Sequence, residues 1–443
     1  MTTNRRSAQL LVATITALTE AATRHMPAGP YRDFTMWACS PRNPRQREFL
    51  EAAGILQLIN MSNMLLIGHV DDDRWPAMLR YTSLMNAYQV LEVISDDLAI
   101  GLGNATLDEP DRLRRGLASA VNRAMIETLT PGRRQPAVLL LAGPARAATK
   151  QTSGFEHSGN RGIRGFAAEY ALSLAAQGKK VPPPGEIEFG LWPALVAGVE
   201  TCRQLVDEME GTATASLLRE GLIDRYRAVD RTLFAQHLSR LELASLGAQT
   251  ILIAPTLAFV LGALLEKVHP VAGYAKIIAN GWINDVLSDA ALVIRLLNDV
   301  GTRLLRMPPV QQAAALHVLT GRGGEKGLEL LHDRGYDPIF TRLHKDLVNG
   351  ESNVALWHAR RANDPKEIWL ALAESLAYFA DLYAQHSARL AAGLAALDER
   401  VGDQRASAVI ERLVRFHERM YSHTHTELAG EDANEPVQVV PHH

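Results

Sequence analysis

LVIRLLNDVGTRLLRM, residues 292–307, sets Asn298, Asp299, Thr302 and Arg306, together with Arg295 and Arg303, into an apolar run. Val286, Val293, Leu297, Val300 and Leu304 recur at spacings of three and four, or multiples of them, which is the period of an amphipathic helix. We read one helix from Trp282 through Arg306. At about 100° per residue, Asn284, Ser288, Ala291, Arg295, Asn298, Thr302 and Arg306 fall within an arc of roughly 80°, opposite the apolar stripe. A face that meets bulk water usually carries Lys, Glu and Gln, which favour helix. Asn, Ser and Thr are short and poor helix formers, so the face reads as the wall of a cavity. Asn298 and Thr302, one turn apart, are neutral oxygen donors that can converge on a hard cation. The other reading is a polar face packed on a neighbouring helix, with the same groups satisfied by hydrogen bonds.

The helical period extends outward through most of the chain. Helices are expected at about 45–67, 75–100, 110–129, 165–178, 193–210, 213–247, 251–268, 272–306, 309–319, 366–398 and 404–424. An amphipathic helix is also expected at the N-terminus, in place of a signal peptide. Strand-like alternation is scarce, so the fold class is all-α. Residues 130–165, 179–190 and 320–340 are rich in Pro, Gly or charge and read as loops or lids, and the tail 428–443 reads as disordered. The organisation expected is N-terminal helices over 1–74 and one helical domain over 75–427 with an insertion at about 130–190.

Composition excludes several classes. The chain has 443 residues, 47% apolar and 21% charged, with a net charge of -3, which describes a globular protein without the basic surface that nucleic acid or an anionic membrane would need. Cys39 and Cys202 are too few for a disulfide scaffold and fit a cytoplasmic location. Leu243–Leu265 is long enough to span a bilayer and carries no formal charge, but Ser245, Gln249, Thr250, Pro255 and Thr256 interrupt it. We expect a buried helix broken near Pro255 and no membrane span. PAVLLLAGPARAATKQT resembles a strand leading into a phosphate loop, yet Thr149 stands before Lys150 where a glycine is required. Gln151–Gly165 remains a surface loop, or a mobile lid that touches phosphate. His237 with Glu242, and Asp381 with His386, are five apart and share a face poorly. His417, His423 and His425 read as surface histidines.

A second constellation lies in AMLRYTSLMNAYQVLEVISDDLAIGLGN, residues 77–104. Leu84, Ala87, Leu91, Ile94 and Leu98 make its apolar arc, and Gln89, Glu92 and Asp96 lie opposite. Glu92, Asp96 and Asp97 gather three carboxylates near a helix C-terminus, where they oppose the helix dipole. A cation is the natural compensation. A solvated acidic end before a Gly101/Gly103 stop is the simpler reading.

With both constellations in view, the chain resembles the class I terpene synthases. SDDLAIG is similar to their aspartate-rich motif and NDVGTRLLR to their second metal motif. The resemblance covers roughly residues 75–425. It implies a helical bundle around a central cavity, in which Mg²⁺ ions grip the diphosphate of an isoprenyl substrate whose ionisation leaves an allylic cation. Asp96 and Asp97, with Asn298 and Thr302, would bind metal. Arg240, ahead of the uncharged helix, would sense diphosphate, with Gly247 at the helix break, and Arg295, Arg306, Arg419 and Tyr421 would also contact the diphosphate. Three departures stand out: Arg306 occupies the place of a carboxylate and cannot ligate Mg²⁺, Ile100 stands where a further carboxylate often falls, and the two motifs are unusually far apart. Arginine's planar fork matches phosphate oxygens, so Arg295 and Arg306 are expected to supply charge that a metal would otherwise supply. Tyr81, Tyr88, Trp282 and Phe259 are either core or cation-stabilising rings. Prenyl transfer, or a non-catalytic ligand-binding or scaffold role, remains the alternative function; a homodimer is compatible with either.

Overall fold

The computed structural model describes residues 3–104, 106–143, 162–183, 186–187, 192–321, 324–332 and 338–422. The Asp97 side chain, Lys150, nearly all of the Gln151–Gly165 segment, His423, His425 and the tail 428–443 lie outside the described residues. Among those described, every regular element is helical. In chain order these are α1 (Thr3–His25), α2 (Pro30–Ala38), α3 (Gln46–Ala52), α4 (Ile55–Leu66), α5 (Trp75–Asp97), α6 (Glu109–Leu129), α7 (Ala137–Leu140), α8 (Gly162–Ala176), α9 (Trp192–Glu208) and α10 (Thr214–Phe234). They continue as α11 (Arg240–Thr250), α12 (Ile253–Gly262, extended by a π-turn to Val268), α13 (Ala272–Ala279), α14 (Trp282–Val300), α15 (Thr302–Leu305), α16 (Pro309–Gly321), α17 (Thr341–Val348), α18 (Pro365–Val401) and α19 (Arg405–Met420).

Helix starts follow local chemistry. Asp108 accepts from the Asp111 amide at 2.8 Å to cap α6, Ser239 and Glu242 form a reciprocal capping box at α11, and Asp364 caps α18 through the Lys366 amide at 2.7 Å. Each removes an orphan N–H from the first turn. At the centre stands α14, whose Asn284, Asp285 and Ser288 are exposed but which is buried from Asp289 to Val300 apart from the half-buried Asn298, with α11, α12, α18 and α19 packed around it. Its C-terminal half therefore has no solvent face, so the part of the polar arc that carries Arg295 and Asn298 must meet protein or a cavity.

Several expected helices break. The stretch 272–306 turns by 80° between Ala279 and Trp282, and α14 ends at Gly301, whose φ of 92° and ψ of 146° are outside the helical region. Beyond it α15 makes a single redirected turn, so Thr302 and Arg306 no longer continue the face of Arg295 and Asn298. The stretch 45–67 bends by 70° where α3 meets α4, and 213–247 is interrupted between Phe234 and Arg240. In the uncharged stretch the 41° bend falls between Thr250 and Ile253 and not at Pro255, which sits in the first turn of α12 where its missing N–H costs nothing. Pro255–Gly262 are all buried within the protein. Among the described residues no single helix is long and apolar enough to cross a membrane, although three bent pairs pass on length and composition.

The helices before residue 75 pack directly on the rest. Helix α1 lies along α5, with the Trp75 Nε1 donating to Gln9 Oε1 at 2.9 Å and the Asn86 Nδ2 donating to Thr14 Oγ1 at 3.2 Å. Apolar side chains from Leu10 to Leu66 join the same core as those of α5 and α9.

Candidate functional site

A cavity of about 1640 Å³ opens between α5, α10, α11, α14, the segment 345–361 and the N-terminal helices. Its walls are largely apolar, with Phe34, Phe49, Leu91, Ile94, Leu246 and Trp357 among them. Asp96, Arg225, Arg295, Asn298, Lys345 and Glu351 also line it, and their contacts place them in one polar region.

The carboxylates at the end of α5 receive a cation from the chain itself. Arg225, on α10, reaches Glu92 Oε1 at 2.6 Å and Asp96 Oδ1 at 3.2 Å. Tyr226 donates to the other Glu92 oxygen at 3.0 Å and shares a hydrogen bond with the Tyr88 hydroxyl. Glu92 is buried, and burial pushes its carboxyl upward against the downward pull of Arg225. Arg225 keeps its proton: burial alone would lower its pKa, but Glu92 and Asp96 more than reverse this. Asp96 differs from Glu92 because 66% of its side chain is exposed, and the surface it meets is the cavity. Protein still surrounds it closely enough for desolvation to raise its pKa, and Glu351 across the polar region adds repulsion.

The opposite wall is a fixed network. Arg295 binds Asp299 at 2.9 Å and the Ser352 carbonyl at 2.9 Å. Asp299 also accepts from the Val354 amide at 2.8 Å, and Asn353 bridges the Asp299 carbonyl and Asp346, each at 2.8 Å. Arg342 donates to the Asn298 carbonyl at 2.6 Å and to Asn298 Oδ1 at 2.7 Å. Asn298 lines the cavity, but its side-chain oxygen is already used. Burial pushes the Asp346 carboxyl up to about 6, with Arg342 opposing. A glycine contact joins the two walls: Gly101 donates to the Asn349 carbonyl at 3.0 Å and Gly103 to the Gly350 carbonyl at 2.9 Å. A Cβ at Gly103 would lie 2.6 Å from the Glu351 carbonyl carbon, so only glycine permits this approach.

The structure thus brings Asp96, Arg295, Asn298 and Gly247 to one cavity and turns the other expected residues elsewhere. Thr302 Oγ1 donates to the Glu418 carbonyl at 2.7 Å. Arg306 pairs with Glu418 Oε1 at 2.5 Å, Arg240 pairs with Glu374 at 2.7 Å, and Arg419 lies 3.5 Å from the Met64 sulfur. The Tyr421 ring packs under the Arg342 guanidinium at 4.8 Å. Gly247 does have a spatial role, since a Cβ there would lie 3.3 Å from Arg295 Cγ and 3.1 Å from Val354. Of the rings read as either core or cation-stabilising, Tyr81 packs edge-on against Phe259, Tyr88 belongs to the Glu92 network, and Trp282 lies under Arg400. His386 meets Asp289 at 2.6 Å, and His417 is buried, correcting its reading as a surface group.

These positions decide the fit of the expected metal. Asp96 offers an oxygen to the cavity, but Asn298 Oδ1 already accepts from Arg342, Thr302 is not among the residues lining the cavity, and Arg306 is a cation paired with Glu418. That donor set does not fit the Mg²⁺ arrangement implied by the resemblance. Among the described residues no three His, Cys, Asp or Glu side chains group as metal ligands.

Sequence reading missed Arg225, Lys345 and Glu351. Arg225 is one charge in a charge-rich helix, and its partner Asp96 is 129 residues away. Lys345 and Glu351 lie on α17 and the loop after it; α17 is amphipathic but only eight residues long, too short for its period to stand out. No protein-family model, curated protein or solved structure matches the chain.

Proposed function

We propose that the cavity receives an isoprenyl diphosphate and promotes departure of its diphosphate, with cyclisation or elimination of the hydrocarbon. The carrying observation is the joining of an apolar wall to a polar region in which Asp96 of α5 and Asn298 of α14 stand with Arg225, Arg295 and Lys345. Departure of diphosphate develops negative charge, and preorganised cations at a dry site stabilise it most effectively. The hydrocarbon is assigned to the stretch of wall formed by Phe34, Phe49, Leu91, Ile94, Leu246 and Trp357, although Thr35, Cys39, His237 and His358 also line the cavity. Because the second motif's oxygens do not fit Mg²⁺, head-group charge is assigned here to the basic side chains.

The test is diphosphate release from C10, C15 and C20 prenyl diphosphates by the purified protein, with Mg²⁺, Mn²⁺ or chelator. We expect release for at least one chain length. Folded protein that turns over none of them under any of these conditions overturns the proposal. Saturable binding without turnover would instead favour a carrier, a reading supported by the extent to which Arg225 and Arg295 are already paired.

A further inference from the structure

We propose that Lys345 is the side chain that first engages the anionic head group. The inference rests on the reading above and names the contact within the same site. Among the described residues five Lys and Arg side chains line the cavity; Arg361 donates to the Trp357 carbonyl and lies over its ring, Arg115 lies over the Phe234 ring, and the three that border the polar region are not equivalent. Arg225 is 3% exposed and held at 2.6 Å and 3.2 Å by two carboxylates. Arg295 is held by Asp299 and the Ser352 carbonyl, both at 2.9 Å. Moving either guanidinium onto a ligand would leave a buried carboxylate or carbonyl without its partner, at substantial cost.

Lys345 carries no such commitment. Its nearest carboxylate oxygens are Glu351 Oε1 at 3.6 Å and Asp346 Oδ1 at 4.0 Å. Both are beyond hydrogen-bond length. The side chain is 35% exposed and lines the cavity, so its ammonium can turn toward a ligand while giving up only long electrostatic contacts. An ammonium is a compact point charge with three rotatable donors, which suits phosphoryl oxygens without demanding one approach geometry. The glycine contact of Gly101 and Gly103 with residues 349–350 ties the end of α5 to the end of α17. The element bearing Lys345 is therefore anchored beside Asp96. Glu351, fixed by the Asn349 amide at 2.8 Å, competes with the ligand for Lys345.

This competition predicts opposite effects for two neutralising substitutions. Calorimetric titration with inorganic pyrophosphate, and with a non-ionisable C15 thiolodiphosphate, reads both. Lys345→Met should weaken each ligand about tenfold or more, the loss expected for a charge-assisted contact, and Lys345→Arg should recover most of it. Glu351→Gln should tighten binding, and Lys345→Met should abolish that gain in the double variant. Melting temperature checks that the variants remain folded. Wild-type binding that Lys345→Met leaves unchanged within twofold overturns the role of Lys345 while the functional reading stands. Failure of wild type to bind either ligand overturns both. Equal affinity for the two ligands keeps Lys345 as an anion contact and removes the isoprenyl tail from the function.

Discussion

Arg306 donates to Glu418 Oε1 at 2.5 Å, and the Tyr383 hydroxyl donates to the same oxygen at 3.0 Å. The guanidinium is 57% exposed, so solvent screens the pair and its removal should cost about 0 to 1 kcal/mol. Arg306→Ala is therefore expected to lower the melting temperature slightly and leave pyrophosphate affinity unchanged. A tenfold loss of affinity would return Arg306 to the site. His417 gives a second test at this scale, because burial pushes its pKa down to about 4 from 6.5. Below pH 6.5 the unfolded chain takes up a proton that the folded protein refuses until about pH 4. Stability is thus full above 6.5 and falls through that window, by on the order of 3 kcal/mol. Asp346, raised to about 6 by burial, has the opposite sign, since its contribution is lost as pH rises from its usual range toward 6. The clean readout is therefore a difference: His417→Leu should flatten the acid limb relative to wild type in denaturant titrations from pH 4 to 7. Parallel curves would show that His417 does not titrate as its burial requires.

Elements depend on single glycines in a way that apolar periodicity conceals. Gly301 has φ of 92°, and an added Cβ would lie 3.2 Å from Arg342 Cγ. Gly301→Ala should destabilise the protein by about 1 to 3 kcal/mol through backbone strain. It should also disturb the Arg342 contacts to Asn298. Comparing Gly301→Ala with Gly321→Ala, where an added Cβ meets nothing within 4 Å, separates this local demand from a general effect of losing glycine; equal melting temperatures would refute it. The same glycine explains what the sequence could and could not disclose. Helices α6 and α18 were legible because apolar spacing and a capping Asp agree at their starts. The face of Asn298 was read too long because Leu304 continues the apolar stripe of Leu297 and Val300 in sequence, although the chain has turned at Gly301 between them. Helix α17 was missed because its Arg342 and Asp346 are buried, so its charges do not mark a solvent face.

At the scale of the whole molecule, the site depends on partners far apart in the chain. The three carboxylates of α5 suggested a bound cation, and for Glu92 and Asp96 that cation is Arg225. No local pattern reveals such a pairing. The all-α class, by contrast, rests on local periodicity and was legible throughout. The N-terminal helices follow the long-range rule as well: Phe34, Phe49 and Ile55 line the cavity, and Phe34 packs against Phe49, Trp37 and Tyr170. A fragment of residues 75–427 would uncover Trp75, which meets Gln9 and Arg6, and Met85, which lies beside Met61, Leu65 and Leu66, and would lose one wall of the site. Apolar burial contributes about 1.5 to 3 kcal/mol for each large side chain, and a domain's total stability is only about 5 to 15 kcal/mol. The fragment should therefore lack a cooperative thermal transition, bind a hydrophobic dye strongly and show no saturable prenyl-ligand binding, whereas the full chain melts cooperatively. A fragment with a sharp transition close to that of the full chain would show instead that residues 1–74 form a separable unit resting on a core that is complete without them.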